Sequence, residues 1–423
     1  MFIQLKPLAS TLILALLFSA VFATSAVSMT KANFTPLPEL PKPIYIRNNG
    51  SIEPSTAPLH REGNIYLLTN NIHDTIDIQR PNTIINGNGF TLTNPAVNTE
   101  GLMMPIGWLP GIRVTNVDNV TIMNILFENC ITGVRVENAS EITINQNMMQ
   151  ETRTGIAVLS SSQINITGND ITLLNQTFAT GIQFLPSNPD ATNPHHITIE
   201  GNQITGNSMQ VPASPPQPEE YGIAGEFSNS IMVGNSLTKI NGIAMYYTGS
   251  NNIIAGNNIQ NNNEGMLFSG GAALSANNKI YGNNFNSNSE NAIVPYIRDS
   301  PINFWDNGKI GNYWSDYEGS DADSNGIGDS PYILETVYFD YELNKNVTVL
   351  KGQDNYPLMA PLDTTNITAE QLETIDPTNL LPDPTATPQQ EPQQTDQLIF
   401  GAAITAPILA VGLGLLVYLI KRK

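Results

Sequence analysis

A chain of 423 residues with only 13% charged positions lacks the material for the ion-paired helices of an ordinary α/β enzyme. Its 51 Asn and 32 Gly favour turns over helices, which excludes an α-rich fold. The 37 acidic against 18 basic residues give a formal charge of -19, which excludes nucleic acid as a partner, and the single Cys130 excludes an intramolecular disulfide framework.

In chain order, residues 1–26 come first, with Lys6, an apolar run from Leu8 to Phe22 and small residues at Ala23 and Ala26, the layout of a secretory signal. Residues 44–110 read as an N-terminal cap with the first coils, 111–300 as a repeat array and 301–362 as an aromatic, Asp-rich C-terminal cap. Residues 363–397 are rich in Pro, Thr and Gln and too poor in apolar residues to fold, so they read as a stalk. The run 398–420 carries no charge and is long enough to span a bilayer as a helix, and Lys421, Arg422 and Lys423 behind it belong in the cytoplasm. The expectation is a single-pass protein of the cell membrane with its ectodomain outside.

Inside the array a Gly followed by alternating apolar residues recurs at Gly111, Gly133, Gly155, Gly181, Gly222, Gly242 and Gly265. A second series is headed by Val120, Ile142, Ile164, Ile197, Ile231, Ile253 and Ile280, and a third runs through Phe127, Met149, Ile171, Ile204, Leu237, Ile259 and Phe285. Three short strands in a repeat of roughly 22 residues describe one turn of a parallel β-helix, in which neighbouring coils share one core. Between the second and third series stand Asn147, Asn169, Asn202, Asn235, Asn257 and Asn283, expected to form an amide ladder at a sharp corner. The outward row of the first series is expected to hold Arg113, Arg135, Ala157, Gln183, Ala224, Ala244 and Leu267.

With the block from Ile44 to Leu92, these Gly and Asn coils, the block Gly311 to Tyr317 and the block Asp354 to Met359, the sequence resembles the NosD-type family of right-handed parallel β-helix proteins, in particular anchored archaeal surface members. The resemblance covers about residues 44–362. It implies an all-β, right-handed solenoid with a strand-rich N-terminal cap and an aromatic C-terminal cap, and leaves the activity open because one scaffold hosts many functions. The family takes its name from an accessory protein of copper-enzyme maturation, so copper has to be weighed. Copper favours imidazole and soft sulfur; His60, His73, His195, His196, Cys130 and 12 Met are present, but the adjacent pairs Met103/Met104 and Met148/Met149 face opposite sides of a strand, and a copper site is not expected.

Calcium is the better metal candidate. Asp321, Asp323, Asn325, Ile327 through its carbonyl and Asp329 follow the spacing of a calcium loop, with Gly326 at the sharp turn; Tyr332 stands where a bidentate Glu belongs, so the site is either weak or completed elsewhere, as by Asp316, and an ordinary Asx-rich loop is the alternative. Two Pro-rich insertions, from Leu185 to His195 and from Asn207 to Tyr221, are expected to bring His195, His196, Glu219, Glu220 and Tyr221 together with Asp190 as a recognition surface. Arg113 and Arg135 stack one coil apart, which calls for acids such as Glu137 or Glu128 nearby on a solvated face or for an anionic ligand such as a sugar carboxylate, while Tyr221, Tyr246 and Tyr281 can stack on sugar rings. No paired carboxylates or other acid/base cluster is legible, so no catalytic residue is assigned. The reading is a non-catalytic surface protein for architecture or glycan binding, with a polysaccharide lyase, hydrolase or epimerase as the alternative and a copper-maturation accessory as the second.

Overall fold

The computed structural model describes residues 43–93, 110–174, 178–188, 190–207, 220–268, 275–294, 303–340, 344–365, 367–369 and 371. The signal at 1–26, Met103, Met104, Glu219, the stalk beyond 371, the span 398–420 and the basic tail lie outside these residues. Among the described residues no helix is long and apolar enough to cross a membrane.

Short strands separated by corners wind into three parallel sheets. The first contains 11 strands, including Pro110–Thr115, Thr132–Glu137, Thr154–Leu159, Thr180–Leu185, Glu220–Glu226, Gly242–Thr248, Glu264–Phe268 and Glu290–Ile293. The second has 10, among them Ser140–Asn145, Ser162–Thr167, His195–Glu200, Ile231–Val233 and Ile253–Ala255, and the third has 9, among them Leu126–Glu128, Met148–Thr152, Asp170–Leu173 and Gln203–Thr205. Each strand pairs with its equivalents in the coils before and after, as Val134 does with Ile112 and Ile156. Antiparallel pairs, Ile44–Ile46 with Ile52–Glu53 and Leu59–Glu62 with Ile65–Leu68, cover the N-terminal end.

Corners explain the Asn content. Left-handed backbone, which Asn tolerates better than other non-Gly residues, occurs at corner positions such as Asn116, Asn119, Asn124 and Asn129 within a single coil. Behind the corner between the second and third sheets the amides of Asn147, Asn169, Asn202, Asn235, Asn257, Asn283 and Asn312 form a continuous ladder, each Nδ2 donating to the next Oδ1 at 2.9–3.0 Å. Two shorter ladders that the sequence reading missed occupy the other corners: Asn278 donates to Asn303, and Asn262 to Asn288.

The inward columns are aliphatic and nearly inaccessible, which is what lets units with so few apolar residues each share one core. Two expected registers are corrected. Ile199 pairs with Met232 and Met232 with Ile254, so Met232 and Ile254 point inward while Ile231 and Ile253 face outward. In the first sheet Ala224 pairs with Tyr246, not Ala244; Ala244 takes the place of the repeat Gly at a corner too tight for a larger side chain.

The outward Ile residues are covered by the chain's own continuation. After the C-terminal cap, the described residues between 357 and 369 run back across earlier coils as a strap, and Leu358, Leu362 and Ile367 close a second apolar cluster with Val233, Ala255, Tyr281 and Ile310, so the start of the expected stalk at 363 is corrected: Ile367 packs on the coils. Gly234 and Gly256 admit it, since a Cβ there would lie 2.6 Å from the Ile367 carbonyl and 2.8 Å from its side chain. Asn284 clamps the strap: its Nδ2 donates to the Leu362 carbonyl and its Oδ1 accepts the Leu362 N–H, both at 2.8 Å. Asn284→Ala is expected to cost about 2 kcal/mol by orphaning both backbone groups and to raise hydrogen exchange at the Leu362 amide by more than tenfold. Unchanged protection at Leu362 would show that apolar contacts alone hold the strap.

At the C-terminal end Trp305, Trp314, Tyr332 and Tyr317 follow on from Phe268 and Phe285, with Trp314 stacked on Phe285 at 4.5 Å and on Tyr332 at 4.3 Å. The hairpin Tyr332–Asp340 with Lys345–Asp354 departs from this aromatic seat.

Candidate functional site

The outward face of the third sheet carries a column of hydroxyl, amide and acid side chains, in register from Thr93 through Glu128 to Gln150, and again from Thr172 through Thr205 and Thr238 to Gln260. Between Gln150 and Thr172 the ladder breaks. Met149 pairs with Ile171 but Thr152 with Leu173, so Gln150 and Glu151 both stand opposite Thr172. Such a bulge re-aims side chains and interrupts pairing. Here it borders a cleft of about 380 Å³ lined by Glu128, Asn129, Gln150, Glu151 and Thr172, side chains of three successive coils.

Glu151 holds this wall in a left-handed conformation, φ 52°, and Asn129 does the same one coil earlier. Asn suits that conformation and Glu does not, so the Glu costs backbone energy that an Asn would spare. Gln150 turns its Nε2 to the Met148 sulfur at 3.3 Å. Neither Gln150 nor Glu151 stood out in the sequence, because the repeat period is unchanged on their side of the bulge and the mismatch arises only in the pairing with the longer coil that follows.

The sequence-derived candidates are dispersed. His195 opens Ser162's partner strand in the second sheet, whereas Glu220 and Tyr221 open a strand of the first sheet beside Thr180 and Ile243. The first insertion leaves the end of the Thr180–Leu185 strand and the second enters the start of the Glu220–Glu226 strand, so the breadth of the first sheet separates them. Of the residues expected to meet, the described His195 and His196 lie edge to face, with ring centroids 5.0 Å apart, on a different sheet from Glu220 and Tyr221; residues 208–219, with Glu219, lie outside the described residues. His195 Nδ1 lies 3.1 Å from the Asn193 carbonyl, and Asn193 donates to Glu226 at 2.9 Å.

Glu220 is a corner fastener. Its buried carboxylate accepts the backbone N–H groups of Asn241 at 3.0 Å and Asn207 at 3.3 Å. Burial pushes its carboxyl above the usual range, and those two donors oppose the shift. Tyr221 reaches Tyr246 of the next coil, ring centroids 5.3 Å apart, but Tyr281 is buried under the strap and offers no stacking face.

Arg113 and Arg135 are register neighbours, and each has an acid of its own: Arg113 reaches Asp77 at 3.3 Å and Arg135 reaches Glu137 at 2.9 Å. The pair is charge-compensated within the fold, with Glu137 among the acids that offset the stacking.

The acids of residues 321–329 turn onto their own backbone. Asp321 accepts from Gly326 N–H at 2.9 Å and Asn325 N–H at 3.1 Å, Asp323 from Asn325 N–H at 3.2 Å, Asn325 Oδ1 from Ile327 N–H at 2.8 Å, and Asp329 from Ala322 N–H at 2.8 Å. Asp316 accepts from Asn291 at 2.8 Å and Tyr332 at 3.1 Å. Among the described residues no three His, Cys, Asp or Glu side chains converge to hold a metal. Of the soft and imidazole side chains, Cys130, Met149, Met232, Met245 and Met266 are buried in the core, and His60 and His73 contact Glu62 and Thr93 in the N-terminal coils.

Comparison with known proteins agrees with the architecture. Residues 190–319 match the family described as periplasmic copper-binding protein (NosD), and residues 83–224 match the family described as right handed beta helix region. Both matches fall within the coils, whose architecture is that of a right-handed β-helix. No curated protein sequence matches the chain. Similar solved structures include the periplasmic alginate epimerase AlgG, at 13% identity and TM-score 0.37 over 58% of this chain and 69% of that one. An alginate lyase from a Paenibacillus species matches at 13% identity and TM-score 0.36 over 57% and 80%, and the catalytic domain of an alpha-1,3-glucanase at 14% and 0.35 over 57% and 56%. At these scores none of them bears on activity.

Proposed function

We propose that this right-handed β-helix is an extracellular, membrane-anchored surface protein that binds a glycan without cleaving it, and that the cleft at the bulge is its binding site. Anchoring rests on the apolar segments at the two ends of the sequence. Binding rests on one observation: a bulge borders a cleft of about 380 Å³ whose carboxylates, amides and hydroxyl come from three successive coils. Ligand sites are concavities of this size with a few convergent polar groups, and hydroxyl-rich ligands need that mixture of donors and acceptors.

The same cleft favours a second reading. Glu128 and Glu151 share it, and two carboxylates flanking one bond are what glycoside hydrolysis requires, so the polysaccharide-active alternative has a definite address.

One experiment separates the readings. The purified full chain is expected to bind a soluble oligosaccharide saturably and to release neither reducing ends nor unsaturated uronates. Glu151→Asn should relieve the left-handed strain, stabilising the fold by about 1 kcal/mol, while weakening binding about tenfold. Release of products that disappears in Glu128→Gln or Glu151→Gln would establish the enzyme. Binding indifferent to both positions would move the site elsewhere on the surface.

A further inference from the structure

The cleft also carries information on the kind of sugar it takes, an inference that rests on the glycan reading. Among the described residues its ionisable lining consists of Glu128 and Glu151, alongside the neutral Asn129, Gln150 and Thr172; Arg153, two positions beyond Glu151, is not among them. We infer that the cleft selects amine-bearing sugars over neutral ones, and neutral ones over uronates.

Three steps lead there. A carboxylate can only accept hydrogen bonds, so Glu128 and Glu151 present acceptors to whatever enters, while the amides supply both donors and acceptors. Sugar hydroxyls satisfy such a wall, and an ammonium satisfies it better through charge-assisted bonds. A uronate brings a third carboxylate into a concavity with no cation among its described lining, and like charges placed together act as a rejection device. The overall charge of -19 points the same way, but at physiological salt it is screened beyond about 8 Å, so the discrimination is local to the cleft.

The geometry suits an oligosaccharide. Successive coils lie about 4.8 Å apart, so the lining residues of three coils span about 10 Å, enough for consecutive rings to meet Glu128 and Glu151 separately. Arg113 and Arg135, the cations that could have made a uronate site, lie in the first sheet and are already paired.

The test uses the full chain and three soluble oligosaccharides of equal length: a glucosamine oligomer with free amines, its N-acetylated counterpart and an oligouronate. Calorimetric titration at 20 and 200 mM salt is expected to rank them in that order, with at least tenfold between the extremes at low salt and a narrower spread at high salt. The double variant Glu128→Gln, Glu151→Gln, which leaves the molecule strongly acidic overall, should lower affinity for the glucosamine oligomer at least tenfold and erase the ranking. Its melting temperature, matched to the parent, reports that the fold is intact. Uronate binding equal to or tighter than amine binding overturns the inference, as does a ranking that survives in the double variant. Equal binding of all three leaves the glycan reading standing without this selectivity, and binding of none removes both.

Discussion

Replacing Asp354 with Ala is expected to cost about 4 kcal/mol and to loosen the C-terminal cap before the rest of the solenoid melts. The carboxylate is fully buried and accepts three N–H groups: the backbone of Asn312 at 2.6 Å, the Trp314 indole at 2.9 Å and the backbone of Tyr356 at 3.0 Å. Removing it leaves all three donors without an acceptor. Gly311 is part of the same arrangement, because a Cβ there would fall 1.6 Å from Asp354 Oδ1, so Gly311→Ala should be nearly as damaging.

The same group sets a pH dependence. Burial raises the Asp354 carboxyl from 3.8 to about 6, with Asp306 adding to the rise and the three donors opposing it. Between about pH 4 and 6 the native cap holds a proton that the unfolded chain has released, so native stability falls as pH rises through that window. The group's contribution is fully present below pH 4, and roughly 3 kcal/mol of it is lost by pH 7. Trp314→Phe removes one donor to the ionised form and should move the window upward. Trp fluorescence during urea unfolding at pH 4 to 7 measures both effects. The same pH slope in Asp354→Asn as in the parent would remove Asp354 as its cause.

This hydrogen-bonded unit explains why two blocks 40 residues apart, Gly311 to Tyr317 and Asp354 to Met359, stand out together in the sequence: they are two halves of one contact. The solenoid was equally legible, because a coil that must present small residues at tight corners and aliphatics inward repeats itself in the chain. Register was less so. Ile231-Met232-Val233 offers three apolar residues in a row, and with both faces covered nothing in the alternation says which one is inside. The strap that covers Ile231 arrives from more than 100 residues downstream, a distance over which periodicity is silent. The cleft escaped for a different reason: a bulge is a mismatch between neighbouring coils, visible only when their pairing is known. Conversely, the Pro-rich insertions flag His195 and Glu220 alike, but which sheet each residue opens is set by the coil geometry, which puts His195 in the second sheet and Glu220 in the first.

The second large effect concerns the ladder. Asn257→Ala is expected to cost about 4 kcal/mol, against about 2 kcal/mol for Asn147→Ala at the ladder's first rung. Asn257 Nδ2 donates to Asn283 Oδ1 at 2.9 Å and to the carbonyls of Met232 at 3.0 Å and Ala255 at 3.2 Å, while its Oδ1 accepts the side-chain and backbone N–H groups of Asn235 at 2.9 and 3.0 Å. Asn147 accepts only the Ile125 N–H, at 3.1 Å, so its loss orphans fewer partners. Asn257→Asp keeps the acceptor but loses the donors and sets a carboxylate against Asn283 Oδ1, which should make it at least as costly as Ala. Because each coil is stabilised chiefly by its neighbours, an internal break lets the solenoid open locally on both sides of the missing rung. Hydrogen exchange should therefore rise most at the Asn235 and Asn257 amides and fade within a few coils, with urea melts supplying the energies. Equal costs at the two positions would mean that the amides act singly and that the ladder adds no cooperativity along the solenoid axis.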